Sequence, residues 1–97
     1  MLTEKIIMDE QEVSDNHYQF YGVPVVCTRT FKDTFGEEYA LVAFAARQMI
    51  AEKYPEKNWD YLQTFSYKGI KFWCIADAKQ REHQKEEHIT FLLPTDY

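Results

Sequence analysis

The sequence predicts an α+β fold, in which one long helix packs on a curved antiparallel sheet of four to five strands. Three features predict it: an alanine-rich helical run near the middle of the chain, a strand pair joined by a short turn, and strand-like runs on both sides. A chain of 97 residues corresponds to one domain, residues 1–97. Its hydrophobic fraction of 45% is that of a folded globular protein.

The first segment, residues 1–16, is predicted to be a strand followed by an acidic loop. Leu2 to Met8 alternates loosely between apolar and polar side chains, which is typical of a strand. Residues 1–16 hold −4 of the net charge of −5. We expect the loop to bind a protein partner through its acidic side chains, namely Asp9, Glu10, Glu12 and Asp15.

The next segment, His17 to Phe31, is rich in Val, Tyr, Phe and Thr, which favour strands. Gly22 and Pro24 interrupt it. Because proline cannot donate to a sheet ladder, Pro24 belongs at an edge, a bulge or a strand start. The segment therefore predicts one bent strand or two short ones, Tyr18–Tyr21 and Val25–Thr30.

Residues 34–54 are predicted to form the central helix. Thr34 and Glu37 have the spacing of a capping box, and proline at position 55 ends the helix. The helix is apolar nearly all round. Two interpretations stay open: its alanines lie shallowly at the surface, or an alanine-lined face meets a second copy or a partner. The candidate binding residues on this helix are Ala43 and Arg47.

A strand pair is predicted over residues 59–76, with Lys68-Gly69 as its two-residue turn. That turn sets a register that places four cross-strand pairs on one face: Tyr67 with Ile70, Phe65 with Phe72, Gln63 with Cys74, and Tyr61 with Ala76. We expect this face to pack on the helix. The opposite face is polar apart from Leu62, Trp73 and Ile75, which are either scattered surface residues or a small binding patch. Trp73 is a further candidate partner-binding residue.

The C-terminal part is predicted to hold a charged loop, residues 77–88, and a last strand. The loop is mixed in sign and almost free of apolar side chains, as a solvated loop would be. His88 to Leu93 alternates, and Pro94 ends the strand.

The sequence contains no recognisable catalytic or metal-ligating set, so we expect no enzyme activity, cofactor or metal. Cys27 and Cys74 each lie in an apolar run and are expected to be free thiols. His83 and His88 are five residues apart, which does not place two imidazoles on one helix face. An enzyme that uses one of these histidines is a third hypothesis, after a protein-interaction function and a homodimeric structural role.

Composition also excludes two classes of partner. An acidic chain without a basic stripe is poorly suited to nucleic acid. No apolar run approaches the length needed to span a bilayer, and no signal peptide opens the chain. The expected location is the cytoplasm.

A six-residue motif, Asp60-Tyr61-Leu62-Gln63-Thr64-Phe65, follows the long predicted helix. This arrangement resembles the small bacterial proteins grouped as domain of unknown function 960. The likeness covers Glu37 to Leu93 in layout and the motif in detail. The segment Glu82-His83-Gln84-Lys85-Glu86 approximates the family's His-x-Gln-Glu-like segment. The resemblance implies an uncharacterised accessory protein of low-GC Gram-positive bacteria, often carried on phage or mobile elements, and it provides no established catalytic residues to carry over.

The hypothesis from these observations is a small, acidic, non-enzymatic interaction protein. A concrete version is a phage or mobile-element protein that inhibits a basic host factor, such as a nuclease, by acidic mimicry. The alternative is a homodimeric structural or accessory protein, joined through helix or edge-strand surfaces.

Overall fold

The computed structural model of the chain describes residues 2, 4–9, 24–53, 62–76 and 88–96. These residues form one five-stranded sheet with the strand order β1-β3-β4-β5-β2 and two α-helices. The elements, in chain order, are β1 (Ile6–Met8), β2 (Val25–Cys27), α1 (Arg29–Phe35), α2 (Tyr39–Lys53), β3 (Leu62–Tyr67), β4 (Ile70–Ala76) and β5 (Ile89–Leu92). The predicted α+β class and strand number are confirmed.

The sheet is mixed, so the expectation of a purely antiparallel sheet was wrong. The pairs β1–β3, β3–β4 and β4–β5 are antiparallel, whereas the edge strand β2 runs parallel to β5. β2 is followed directly by α1, so the chain leaves the sheet there instead of turning back in a hairpin. A parallel pair requires this kind of long connection.

The β3–β4 hairpin has the predicted register. Tyr67 pairs with Ile70, Phe65 with Phe72, and Gln63 with Cys74. Lys68 and Gly69 have φ angles of 54° and 76°. Positive φ at both central residues is the geometry of a type I′ turn, whose twist matches that of the flanking strands.

The face that these pairs share is the buried one, as predicted. Phe65, Phe72 and Cys74 are fully buried, and Ile70, beside the turn, is the exception at 37% exposed. Phe31 and Phe35 of α1 pack on this face, each with its ring centroid 5.5 Å from that of Phe72. The aromatic side chains of β3, β4 and α1 therefore form the centre of the core.

The predicted start of the central helix was wrong. Two helices occupy the region: α1 is capped by Thr28, whose Oγ1 accepts a hydrogen bond from the N–H of Phe31 at 3.2 Å. Thr34 lies inside α1, so it cannot cap the longer helix. Gly36, with φ of 56°, ends α1 in a conformation that few other residues adopt, and a 3₁₀ turn then leads into α2.

This correction also shortens the strand predicted at Val25–Thr30. It ends at Cys27, because Thr28 caps α1 and the next two residues are helical. The predicted strands at Leu2–Met8 and His88–Leu93 are confirmed over β1 and β5.

Several predictions fall on residues outside the described part of the chain. These are the strand Tyr18–Tyr21, most of the acidic loop, the helix end at Tyr54-Pro55, the first two residues of the six-residue motif with the predicted Tyr61–Ala76 pair, and the charged loop up to residue 87.

Candidate functional site

An apolar groove lies between the edge strand β2 and helix α2, and we call it the β2–α2 groove. Its volume is about 210 Å³. Its lining combines two side chains of β2 with five of α2: Val25, Cys27, Tyr39, Ala40, Ala43, Phe44 and Arg47. The groove exists because α2 has alanines, Ala40 and Ala43, where larger side chains would fill the space up to β2.

The floor and the rim of the groove differ in exposure. Ala43 is 4% exposed and belongs to the core, together with Val42, Ala46 and Ile50 of the same helix. Phe44, the next residue, is 59% exposed although it is fully apolar. Phe44 and Arg47 also border a smaller depression of about 100 Å³ on the other side, next to Gln48 and Ala51. They form a ridge between two depressions.

The backbone of β2 presents an open edge beside the groove. The carbonyl of Pro24 accepts a hydrogen bond from the N–H of Ile89, and the N–H of Thr28 donates to the carbonyl of Phe91, both at 3.0 Å. Backbone groups alternate in direction along a strand, so those of Val25 and Cys27 point away from β5. Among the described residues, no strand pairs with this outer side. Unpaired groups of this kind bind added strands readily.

Two cations flank the groove. Arg47 is half-buried at its wall, and none of the salt bridges within the described residues involves it. Lys32 of α1 lies with its Nζ 5.6 Å from the ring centroid of Tyr39. Both of these flanking charges are positive, although the chain as a whole has a net charge of −5.

The two cysteines are free thiols, one of them in the groove. Burial raises the pKa of Cys27 while nearby Lys32 opposes the change, and burial raises the pKa of Cys74 well above its ordinary value. Both thiols are therefore protonated near neutral pH. Cys27 and Cys74 both pair with Phe91, from opposite sides. They lie two strands apart, at about 10 Å, which is too far for a disulfide.

The four candidate partner-binding residues that the structure describes fall in three places, of which the third, at Trp73, is on the opposite face of the sheet. Ala43 and Arg47 come together in the β2–α2 groove. Asp9 is tied to β3: its Oδ2 accepts a hydrogen bond from Thr64 Oγ1 at 2.7 Å, and its N–H donates to the carbonyl of Thr64 at 2.9 Å. Glu10, Glu12 and Asp15 lie outside the described residues.

Trp73 lies on the opposite face of the sheet from the helices, where it is half-buried. The structure pairs Trp73 with Leu92, and Leu62 with Ile75, on neighbouring strands. The three apolar exceptions of the hairpin are therefore neighbours and not scattered residues. They form a patch separate from the groove, with the sheet between the two.

Sequence reasoning missed most of the groove. Val25, Phe44 and Tyr39 were read as strand or helix residues without a role. Two signals pointed toward them: Pro24 indicated an edge, a bulge or a strand start, and the helix had more apolar sides than one sheet can cover.

Neither a cluster of metal-ligating side chains nor a membrane-spanning helix is found in the part of the chain that the structure describes. No group of three or more His, Cys, Asp or Glu side chains there is placed to hold a metal ion. His88 is half-buried just before β5, and His83 lies outside the described residues. No described helix is long and apolar enough to cross a membrane.

Comparison with known proteins found no matching family model, no matching curated protein and no matching solved structure. The resemblance to domain of unknown function 960 stays a prediction.

Proposed function

We propose that this chain is a non-enzymatic interaction protein that binds another protein at the β2–α2 groove. The observation that carries the proposal is the exposure of Phe44, an aromatic ring 59% accessible on the rim of an apolar groove. Aromatic side chains beside a desolvated pocket are typical anchors of protein interfaces. Val25 on the adjoining edge strand, at 38% exposed, extends the apolar surface.

The size and chemistry of the groove favour a protein over a small substrate. Its volume of about 210 Å³ is below the ~300–1,000 Å³ typical of small-molecule sites. The described lining contains no carboxylate or imidazole that could act as a general acid or base. Its one thiol has a raised pKa and is a poor nucleophile.

The acidic residues Asp9, Glu10, Glu12 and Asp15 belong to the proposal as a second binding determinant, through which the chain would inhibit a basic host factor. Its test should leave Asp9 unchanged, because that carboxylate holds Thr64 and its loss would disturb the β1–β3 edge. Neutralising Glu10, Glu12 and Asp15 together separates charge from structure.

Site-directed crosslinking tests the groove. A photoreactive amino acid replaces Ala40, which is exposed and lines the groove, and the tagged chain is irradiated in a lysate of the cells that encode it. The crosslinked protein is identified, purified and titrated against the wild type, Phe44→Ala and Leu41→Ala. Leu41 is the matched control, an apolar residue 44% exposed on the same helix but outside the groove lining.

We expect Phe44→Ala to weaken binding by about tenfold or more, and Leu41→Ala to leave it unchanged. Equal affinities for the wild type and Phe44→Ala would reject the groove as the binding surface. If the crosslinked species is a second copy of the chain, confirmed as a dimer by light scattering, the homodimer alternative replaces a foreign partner.

A further inference from the structure

We infer that the occupant of the β2–α2 groove is an extended segment of a partner protein that adds a sixth strand to the outer side of β2 and carries a carboxylate to Arg47. This inference rests on the proposed function and specifies the shape and charge of what binds. It depends on three features that coincide: a backbone edge with which no described strand pairs, side chains of the same strand in the groove, and at its wall a cation that forms no salt bridge with a described carboxylate.

The backbone supplies the first feature. Pro24 and Thr28 direct their hydrogen-bonding groups to β5, so the groups of Val25 and Cys27 point outward. An incoming strand would form its main-chain hydrogen bonds with these groups. In strand addition such bonds supply much of the affinity and do not depend on the sequence of the ligand.

The side chains supply the second feature. Val25 and Cys27, whose backbone groups point outward, are also the two β2 residues whose side chains line the groove. Neighbouring strands point paired side chains to the same face of a sheet. Every second side chain of an added strand would therefore lie between β2 and α2, over Ala40 and Ala43. The apolar lining selects apolar side chains at those positions.

The charges supply the third feature. Arg47 is half-buried and has no salt bridge with any described carboxylate, and Lys32 lies beside Tyr39 at the same groove. An arginine binds a carboxylate through two parallel hydrogen bonds, and these strengthen where water is partly excluded. An acidic side chain or a C-terminal carboxylate of the segment satisfies this site, and the two sources are separable by experiment.

The same features disfavour a second copy as the occupant. A two-fold contact places the same surface of both copies face to face. Arg47 and Lys32 of one copy would then meet a groove flanked by the same cations, and each copy carries a net charge of −5. A foreign segment with an acidic group has no such conflict.

Peptide selection tests the inference. A library of random seven-residue peptides displayed on phage is selected for binding to the full chain. An enriched peptide is then synthesised in four forms. The first is unmodified, two are N-methylated at the odd-numbered or at the even-numbered backbone nitrogens, and the fourth has its acidic group converted to an amide. Libraries with the C terminus free and blocked distinguish a terminal carboxylate from an acidic side chain. Binding is measured by calorimetry, and amide shifts in NMR spectra locate the site.

We expect NMR shifts at the amides of Val25, Cys27 and Arg47. N-methylation of the alternate nitrogens that face β2 should weaken peptide binding by about tenfold or more, whereas N-methylation of the other set should change the affinity little. Converting the acid to the amide should weaken binding to the wild type but not to Arg47→Gln. Lys71→Gln is the matched control, since Lys71 is an exposed cation on the opposite face of the sheet.

Three outcomes would overturn the inference: no enriched peptide, equal affinity for both N-methylated forms, or an acid-to-amide effect that persists in Arg47→Gln. A peptide that binds in the groove as a helix, insensitive to N-methylation, would overturn strand addition while leaving the proposed function intact. A protein partner whose binding does not depend on Phe44 would remove the proposed function itself.

Discussion

The two helices cover the same sheet in opposite ways. α1 directs large aromatic side chains inward: Phe31 and Phe35 pack on Phe72, and Phe31 also packs on Phe91 at 5.7 Å between centroids. α2 adds Val42 and Ile50 to the same core, but its inward side chains at Ala43 and Ala46 are small, and Phe44 stays outside. Both helices therefore contribute to the core, and α2 also leaves a groove beside the edge strand. Stability should therefore depend on Phe31 and binding on Phe44, so that each property can be changed without the other.

The largest expected effect lies under α1. Phe31→Ala removes a fully buried ring that contacts Phe35, Phe72 and Phe91, and should lower the free energy of unfolding by about 3–5 kcal/mol. Urea denaturation followed by circular dichroism measures it. If the alanine variant does not fold, Phe31→Leu provides a graded second point, because it keeps most of the apolar volume. A loss below 1 kcal/mol (roughly the cost of a single methylene) would mean that α1 is not part of the core.

A smaller effect is expected where α1 begins. Thr28→Ala removes the cap on the N–H of Phe31 and the hydrogen bond from Thr28 Oγ1 to Asp96 Oδ2, and should cost about 1 kcal/mol. Thr34→Ala is the control, since Thr34 is exposed within the same helix and should change stability by no more than ~0.5 kcal/mol. The opposite ranking would restore Thr34 as the helix cap.

That pair of threonines shows where sequence reasoning fails. Both threonines stand before helix-forming residues, so local pattern alone does not decide which one is the cap. The decision comes from Thr28's own backbone, whose N–H donates to the carbonyl of Phe91, and from Gly36, whose positive φ ends the first helix. The hydrogen bond between Thr28 and Phe91 joins distant parts of the chain, so the pattern of hydrophobic residues in the sequence does not reveal it.

The hairpin was predictable for the opposite reason. Its register depends on a two-residue turn and on alternation along two adjacent strands, and both are local. The parallel pairing of β2 with β5 joins residues more than sixty positions apart and was missed. The groove was also missed, because a helix apolar on nearly all sides does not indicate which side faces the sheet. Ala43 and Arg47 were placed on the binding helix, but not beside Val25 or Phe44.

A third prediction concerns the link between the turn before α2 and the hairpin. Glu38 accepts hydrogen bonds from Lys68 Nζ at 3.1 Å and from Tyr67 Oη at 2.9 Å. Both bonds lower the pKa of Glu38, and the bond from Lys68 has the larger effect. The hydrogen bond to Glu38 in turn raises the pKa of Lys68. A lowered carboxyl pKa stabilises the fold above the ordinary glutamate range, and this contribution is lost as the pH falls through the lowered pKa.

Glu38→Gln should therefore lower the midpoint of thermal unfolding at neutral pH, and the difference from the wild type should shrink as the solution is acidified. It should also shrink in strong alkali, because the raised pKa of Lys68 stabilises the fold only until that amine loses its proton. Glu37→Gln, an exposed carboxylate in the same turn, is the matched control and should show a smaller difference. A difference that is independent of pH would show that packing, and not the charge of Glu38, holds the turn to the hairpin.

The smallest expected effect on stability is the most informative one. Phe44→Ala removes the same atoms as Phe31→Ala, but from a ring that is 59% exposed at the rim of the groove. Little apolar area returns to water and no cavity opens, so the free energy of unfolding should change by no more than ~0.5 kcal/mol. The same denaturation experiment measures both variants. A loss close to that of Phe31→Ala would place Phe44 in the core and remove the groove as a free surface. A negligible loss, together with weakened partner binding, would show that the chain keeps a large aromatic side chain in water at a position where folding does not require it.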